Sequence, residues 1–313
     1  MISDFFQICH HQSAFNNLKS FIFYLIVLFC FSSIVGLHAQ QPFFTQFNEN
    51  PIVLNPAFTG NSYHLNIRGQ YKTLWSGLET TPSTAVISAH SPIGISSSSI
   101  GIVVLHDVFG ISNTNAVTLN YAYRFQTTFG RIVAGADVSA TNYQQQLTKT
   151  HPGMSNDPAL AADFNAMYIN AGFGAAWENE NGYFGIAMPG ILNPSKTKEI
   201  NDTITFIPAQ LNINGAYKFV LNDTWEMEPA VSYSYIDKLP SQMALLFSFE
   251  WDNTVGFLVG YRSSNVYSAG VKFHFMDNFL IGYNYDYYAS TLNVLGGGHE
   301  LVLGFDLNKP EGE

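Results

Sequence analysis

The sequence predicts an all-β protein: a transmembrane antiparallel β-barrel of an outer membrane, with about 14 strands and both termini periplasmic. Three observations carry this. Apolar residues alternate with polar or small ones at period two along most of the chain. The alternating segments run about 9–13 residues, whereas a tilted membrane strand needs roughly 9–11 and a soluble one about 5–6. Only 12% of residues are charged, against 47% hydrophobic and 15% aromatic, where average domains carry about 25% charged residues. That composition excludes a disordered chain. The net charge of −10, with no basic run, excludes an electrostatic nucleic-acid binder.

The first element is a leader. Phe21 to Val35 is an apolar run of 15 residues preceded by Lys19. This length suits a signal peptide and is short for a spanning helix. Leu37-His38-Ala39 precedes Gln40 as a cleavage site, so residues 1–39 read as a signal peptide, with an uncleaved anchor helix as the alternative. Cys9 and Cys30 both lie in it. Disulfides, thiol nucleophiles and cysteine-held metals are therefore not expected in the mature chain. Residues 40–61 read as a periplasmic N-terminal segment, 62–307 as the barrel and 308–313 as a polar tail.

Within the barrel, alternation places strands at about 62–74, 83–91, 99–107, 115–126, 130–142, 166–177, 182–190, 208–220, 224–236, 241–251, 254–262, 266–275, 279–288 and 298–307. In the first, Leu65, Ile67 and Tyr71 oppose Asn66, Arg68, Gln70 and Lys72; in the thirteenth, Phe279, Ile281, Tyr283, Tyr285 and Tyr287 oppose Gly282, Asn284 and Asp286. A helix would scatter these side chains around its surface; a strand puts them on one side. Every long connection follows an odd-numbered strand, as when short turns are periplasmic and longer loops external. Hydrocarbon cannot satisfy an open sheet edge, so the sheet must close with its apolar face outward. The inward positions include Gly172, Gly174, Ala176, Gly256, Gly260 and Gly270, which leave room for either a channel or a plug. Trp75, Trp177, Trp225 and Trp251 lie near strand ends, where an interfacial belt puts them.

Few residues suggest chemistry. Gly172-Phe173-Gly174 begins a dinucleotide fingerprint but lacks its third glycine and its strand-to-helix turn. No nucleophile elbow, phosphate loop or paired zinc histidines are present. His106-Asp107 is a fragment of a triad or a polar strand end. Glu226 and Glu228 face inward, to tune ion selectivity or to pair with Arg124, Arg131 or Lys218. The connection at 143–165, with Pro152, Asp157 and Asp163, is a candidate partner loop. No catalytic set, metal or cofactor is expected, and no small-molecule substrate.

Two stretches at opposite ends of the chain carry a resemblance. Near the start stands Asn50-Pro51, then Asn55-Pro56-Ala57-Phe58-Thr59-Gly60, followed by Arg68 and Gln70. Near the end stand Tyr285-Asp286-Tyr287 and then Gly298-His299-Glu300-Leu301. With the intervening Tyr168 to Leu192, these resemble the PorP/SprF outer-membrane proteins of Bacteroidetes over residues 41 to about 307. Gly297 and Gly298 replace a usual Gly-Ser pair. The resemblance implies an integral outer-membrane protein of type IX secretion and gliding motility. Its implied partners are secretion components, periplasmic proteins and a large secreted, adhesin-like surface protein, besides outer-membrane lipid. It implies no enzyme and assigns no role to Asn50, Pro51, Asn55, Pro56, Gly60, Gly298, His299 or Glu300. The alternatives are an autonomous pore or solute transporter and, third, an outer-membrane hydrolase.

Overall fold

The computed structural model describes residues 43–61, 64–78, 80–94, 97–149, 162–192, 210–236, 239–263, 265–276 and 278–307. Among them are β1 Asn66–Thr73, β2 Ser83–Pro92, β3 Ser98–Phe109, β4 Ser112–Thr127, β5 Gly130–Gln145, β6 Phe164–Glu178, β7 Gly182–Met188, β8 Gln210–Tyr217, β9 Phe219–Val220, β10 Trp225–Ile236, β11 Gln242–Trp251, β12 Val255–Arg262, β13 Val266–Phe275, β14 Phe279–Tyr288 and β15 Gly298–Asp306. β9 resumes β8 after Lys218, and both pair with β10, so the two make one stave of a 14-stave barrel. Each stave pairs antiparallel with its neighbours in sequence. β15 pairs with β1 from Asn66↔Asp306 to Thr73↔His299, which closes the sheet.

The side-chain faces follow the alternation. Asn66, Arg68, Gln70 and Lys72 of β1 are buried, whereas Tyr71 points outward. In β14 the outward residues are Phe279, Ile281, Tyr283, Tyr285 and Tyr287. Ile87, Leu119, Val138, Ile169, Val259 and Leu303 continue the outer apolar band around the barrel. Such a band would be an aggregation surface in water and is the solvated face in lipid.

The strand ends define two rims. One carries the short turns, together with the start of β1 and the end of β15. Trp177, Trp225 and Trp251 lie there, with Trp225 opposite Trp251 in register. The Asp252-Asn253 turn has φ of 49° and 48°, and the Thr254 N–H donates to the Trp251 carbonyl at 3.0 Å. Two positive φ values give the twist that suits a tight hairpin. The other rim carries the longer connections and Trp75, which packs on Phe109 and Tyr288.

Several strand boundaries differ from the alternation. β4, β5 and β6 extend further toward the long-connection rim, and Tyr143–Gln145 pair with Phe164–Ala166. The candidate partner loop is shortened accordingly. Pro152 and Asp157 lie outside the described residues, and the Asp163 carboxylate accepts from the Thr148 N–H at 3.1 Å and hydroxyl at 2.8 Å. β7 stops at Met188, before a proline that has no N–H to donate and Gly190 at φ 77°.

The largest difference is the N-terminal segment. Its described part, 43–61, expected as a segment outside the barrel, packs inside the barrel lumen. Phe43, Phe44, Phe47, Ile52, Ala57 and Phe58 need burial, and the inner wall supplies it. Phe43 and Phe47 pack among Ala216, Ala230, Ala244, Leu246 and Leu258, while Phe44 and Ile52 meet Val86 and Val103.

Leu119 lies mid-strand on the outer face of β4. Leu119→Arg is expected to cost about 2–4 kcal/mol in a denaturant titration from lipid vesicles, the cost of an arginine near the bilayer midplane.

Candidate functional site: a plugged lumen

The plug is built from three single-turn 3-10 helices, Phe47–Glu49, Pro51–Val53 and Pro56–Phe58. Each Asn-Pro pair starts one turn. Proline presets φ and gives up an N–H that a first helical residue could not bond anyway. Asn55 caps the third turn, its Oδ1 accepting the Ala57 N–H at 2.9 Å. Its Nδ2 donates outward to the Ala175 and Ile186 carbonyls of the wall. Asn50 makes no side-chain cap and grips the wall instead: Nδ2 donates to Gln70 at 3.2 Å, and Oδ1 accepts from Ser88 at 2.8 Å.

Phe58 is fully buried, edge-on to Tyr183 and among Ala122, Val133 and Ala176. Small wall residues make this seat. A Cβ at Gly174 would collide with the Asn55 side chain, and one at Gly185 would lie 2.6 Å from Asn55 Nδ2 and 2.7 Å from Phe58 Cζ. Gly60 ends the plug at φ 67°, a conformation open to glycine, and its N–H donates to His90 Nδ1 at 2.9 Å.

The anchor is a buried charge cluster. Lys72 Nζ lies 2.7 Å from Asp286 and 3.2 Å from Glu300, and it donates to the Thr45 hydroxyl at 2.9 Å. Glu300 accepts two plug N–H groups, from Thr45 at 2.7 Å and Gln46 at 2.9 Å. Asp286 also accepts from Ser268, Asn284 and Thr45, and pairs with Arg262 at 3.4 Å. Arg262 in turn donates to the Phe43 carbonyl. Two cations thus balance two carboxylates, and the remaining lone pairs are filled by plug and wall donors. Burial of ions is tolerable under those conditions.

Further contacts hold the rest of the segment. Lys272 pairs with plug residue Glu49 at 3.0 Å and also with Glu250. Asn48 donates to Glu228 at 2.7 Å. Arg68 reaches the Glu49 carbonyl while paired with Asp306. Arg124 donates to the Thr59 carbonyl at 2.7 Å and pairs with Glu178, as Arg131 does. Glu226 pairs with Lys218. The expected pairing of Arg124 and Arg131 with Glu226 and Glu228 is therefore redistributed to Glu178 and the plug.

Of the motif residues, Asn50, Pro51, Asn55, Pro56 and Gly60 form the plug and Glu300 holds it. Gly298 sits where a Cβ would press on the Thr73 carbonyl at 3.0 Å. His299 lies on the outer face, with Nδ1 2.8 Å from the Tyr283 hydroxyl and its ring edge-on to Tyr285. His106 and Asp107 form no dyad: adjacent in a strand, they face opposite sides and bond to Asn115 and Thr84 respectively. Lys72, Arg262, Thr45 and Gln46 escaped the sequence reading as site residues. Lys72 and Arg262 carried a signal, an inward charge on a strand, but the partner of Lys72 depends on closure: it stands directly opposite Glu300 across the β1–β15 seam. Thr45 and Gln46 lie in the segment before β1, which has no period to read.

A family model described as "Type IX secretion system membrane protein PorP/SprF" matches residues 37–305. The chain belongs to the PorP/SprF family. It is an integral outer-membrane barrel and a component of type IX secretion. The two stretches that carried the resemblance are, in this PorP/SprF chain, a plug and the strand that holds it. No curated protein matches. Similar solved structures include the toluene transporter TodX of P. putida, at TM-score 0.49 and 9% identity over 83% of this chain and 95% of that one. Others are Acinetobacter baumannii Omp33 (TM-score 0.48, 8% identity, 80% and 100% covered) and a Pseudomonas aeruginosa FadL homologue (0.47, 10%, 81% and 93%).

Lys72→Met leaves Asp286 and Glu300 facing each other without their shared cation. It is expected to lose roughly 3–5 kcal/mol in denaturant unfolding, more than Glu300→Gln, which retains the Lys72–Asp286 pair. Gly174→Leu fills the Asn55 seat. It is expected to expel the plug from a barrel that still folds, read as protease cleavage within residues 43–60 that the parent protein resists.

Proposed function

We propose that this barrel is a closed platform in the outer membrane that engages a large, adhesin-like surface protein, helping to secrete or anchor it. The observation that supports this reading is the filled lumen. The plug is bonded to β1, β2, β4, β6, β7, β8, β10 and β12 through β15, so the wall is committed to holding a segment of its own chain. The short-turn rim faces the periplasm and meets secretion and motility components there. The long connections, with the candidate loop of Pro152, Asp157 and Asp163, face outward and meet the surface protein. Residues 1–39 are the leader that directs export.

The second reading, an autonomous pore, draws on the small and polar inward residues and requires the plug to leave. In planar bilayers the intact protein is expected to be electrically silent, and a variant lacking residues 43–58 to conduct. Open channels from the intact protein would favour the pore. Affinity capture from gently solubilised outer membrane is expected to recover type IX components together with one very large surface protein. Recovery of the barrel alone, where known complexes survive, would overturn the platform reading.

A further inference from the structure

The plug has a direction. Phe43 is held by Arg262, the last residue of β12 before the long-connection rim. Thr45 and Gln46 are held by Lys72, Asp286 and Glu300, all within three residues of the strand ends at that same rim. Midway, Glu49 meets Lys272 and Arg68, toward the opposite ends of β13 and β1. Thr59 and Gly60 are held by Arg124 and His90, near the short-turn ends of β4 and β2. The chain then enters β1 at the short-turn rim.

We infer that the segment threads the lumen from one rim to the other. Phe43, the first described residue, then stands at the long-connection rim, on the opposite face from the end of β15. There it gives the surface partner a direct grip on the plug. The threading runs against the expectation that both termini are periplasmic. The assignment of that rim to the cell exterior rests on the orientation proposed above, whereas the threading rests on the contacts alone.

The test uses the full chain with Cys9→Ser and Cys30→Ala, so that introduced cysteines are the reactive thiols. Gln41→Cys reports the leading end. Val294→Cys, exposed in the β14–β15 connection, reports the long-connection rim; Asp223→Cys, exposed between β9 and β10, reports the short-turn rim. Intact cells are treated with a membrane-impermeant biotin maleimide. Labelling of position 41 together with 294, with 223 labelled only after permeabilisation, is the expected result. If 41 instead follows 223, or reacts in neither condition, the threading is overturned. If 294 and 223 exchange behaviour while 41 still follows 294, the orientation fails and the threading stands. Streptavidin bound to the labelled Gln41→Cys variant is expected to lower recovery of the surface protein by affinity capture severalfold, with no change for the same adduct on the Asp223→Cys variant. Unchanged recovery would overturn the grip.

Discussion

The Lys72 ammonium sits between Asp286 and Glu300, and the plug backbone completes the shell around them. Three staves meet there, β14, β15 and β1, across the seam where the two ends of the sheet join. An ion in a membrane barrel lumen keeps its charge if partners replace its water. Here the replacement comes partly from the wall and partly from Thr45 and Gln46. The seam and the plug therefore share one set of charges, and neither is satisfied without the other.

The barrel was legible because its constraint is periodic. Hydrocarbon outside imposes an apolar residue at every second position, and 14 staves repeat the message. Even the split of one stave at Lys218 left the count intact. Boundaries were less legible, since β4 to β6 run 16, 16 and 15 residues, longer than the roughly 9–11 a tilted membrane strand needs, and near their long-connection ends polar residues such as Gln144 and Gln145 still pair.

The plug was not legible for the opposite reason. It is a string of single turns without any period, and its asparagines read equally well as solvated turn residues. Its seat was visible but ambiguous: Gly174 and Ala176 announced space without saying what fills it. The motif at Gly298 to Glu300 shows the same limit. Alternation puts His299 and Glu300 on opposite faces, and the partner of each depends on closure. Of the pair, the carboxylate faces inward to the segment and the imidazole lies on the outer face with Tyr283 and Tyr285.

The placement of Glu300 in the final stave has a consequence for assembly. Its two contacts with Thr45 and Gln46 can form once β15 has zipped against β1, and Lys72 then finds its second carboxylate at the same moment. Barrel completion and plug seating thus become a single cooperative event. A chain that has inserted thirteen staves carries an unshielded lysine and an ungripped leading segment. Such a half-made tube is chemically distinct from the finished one.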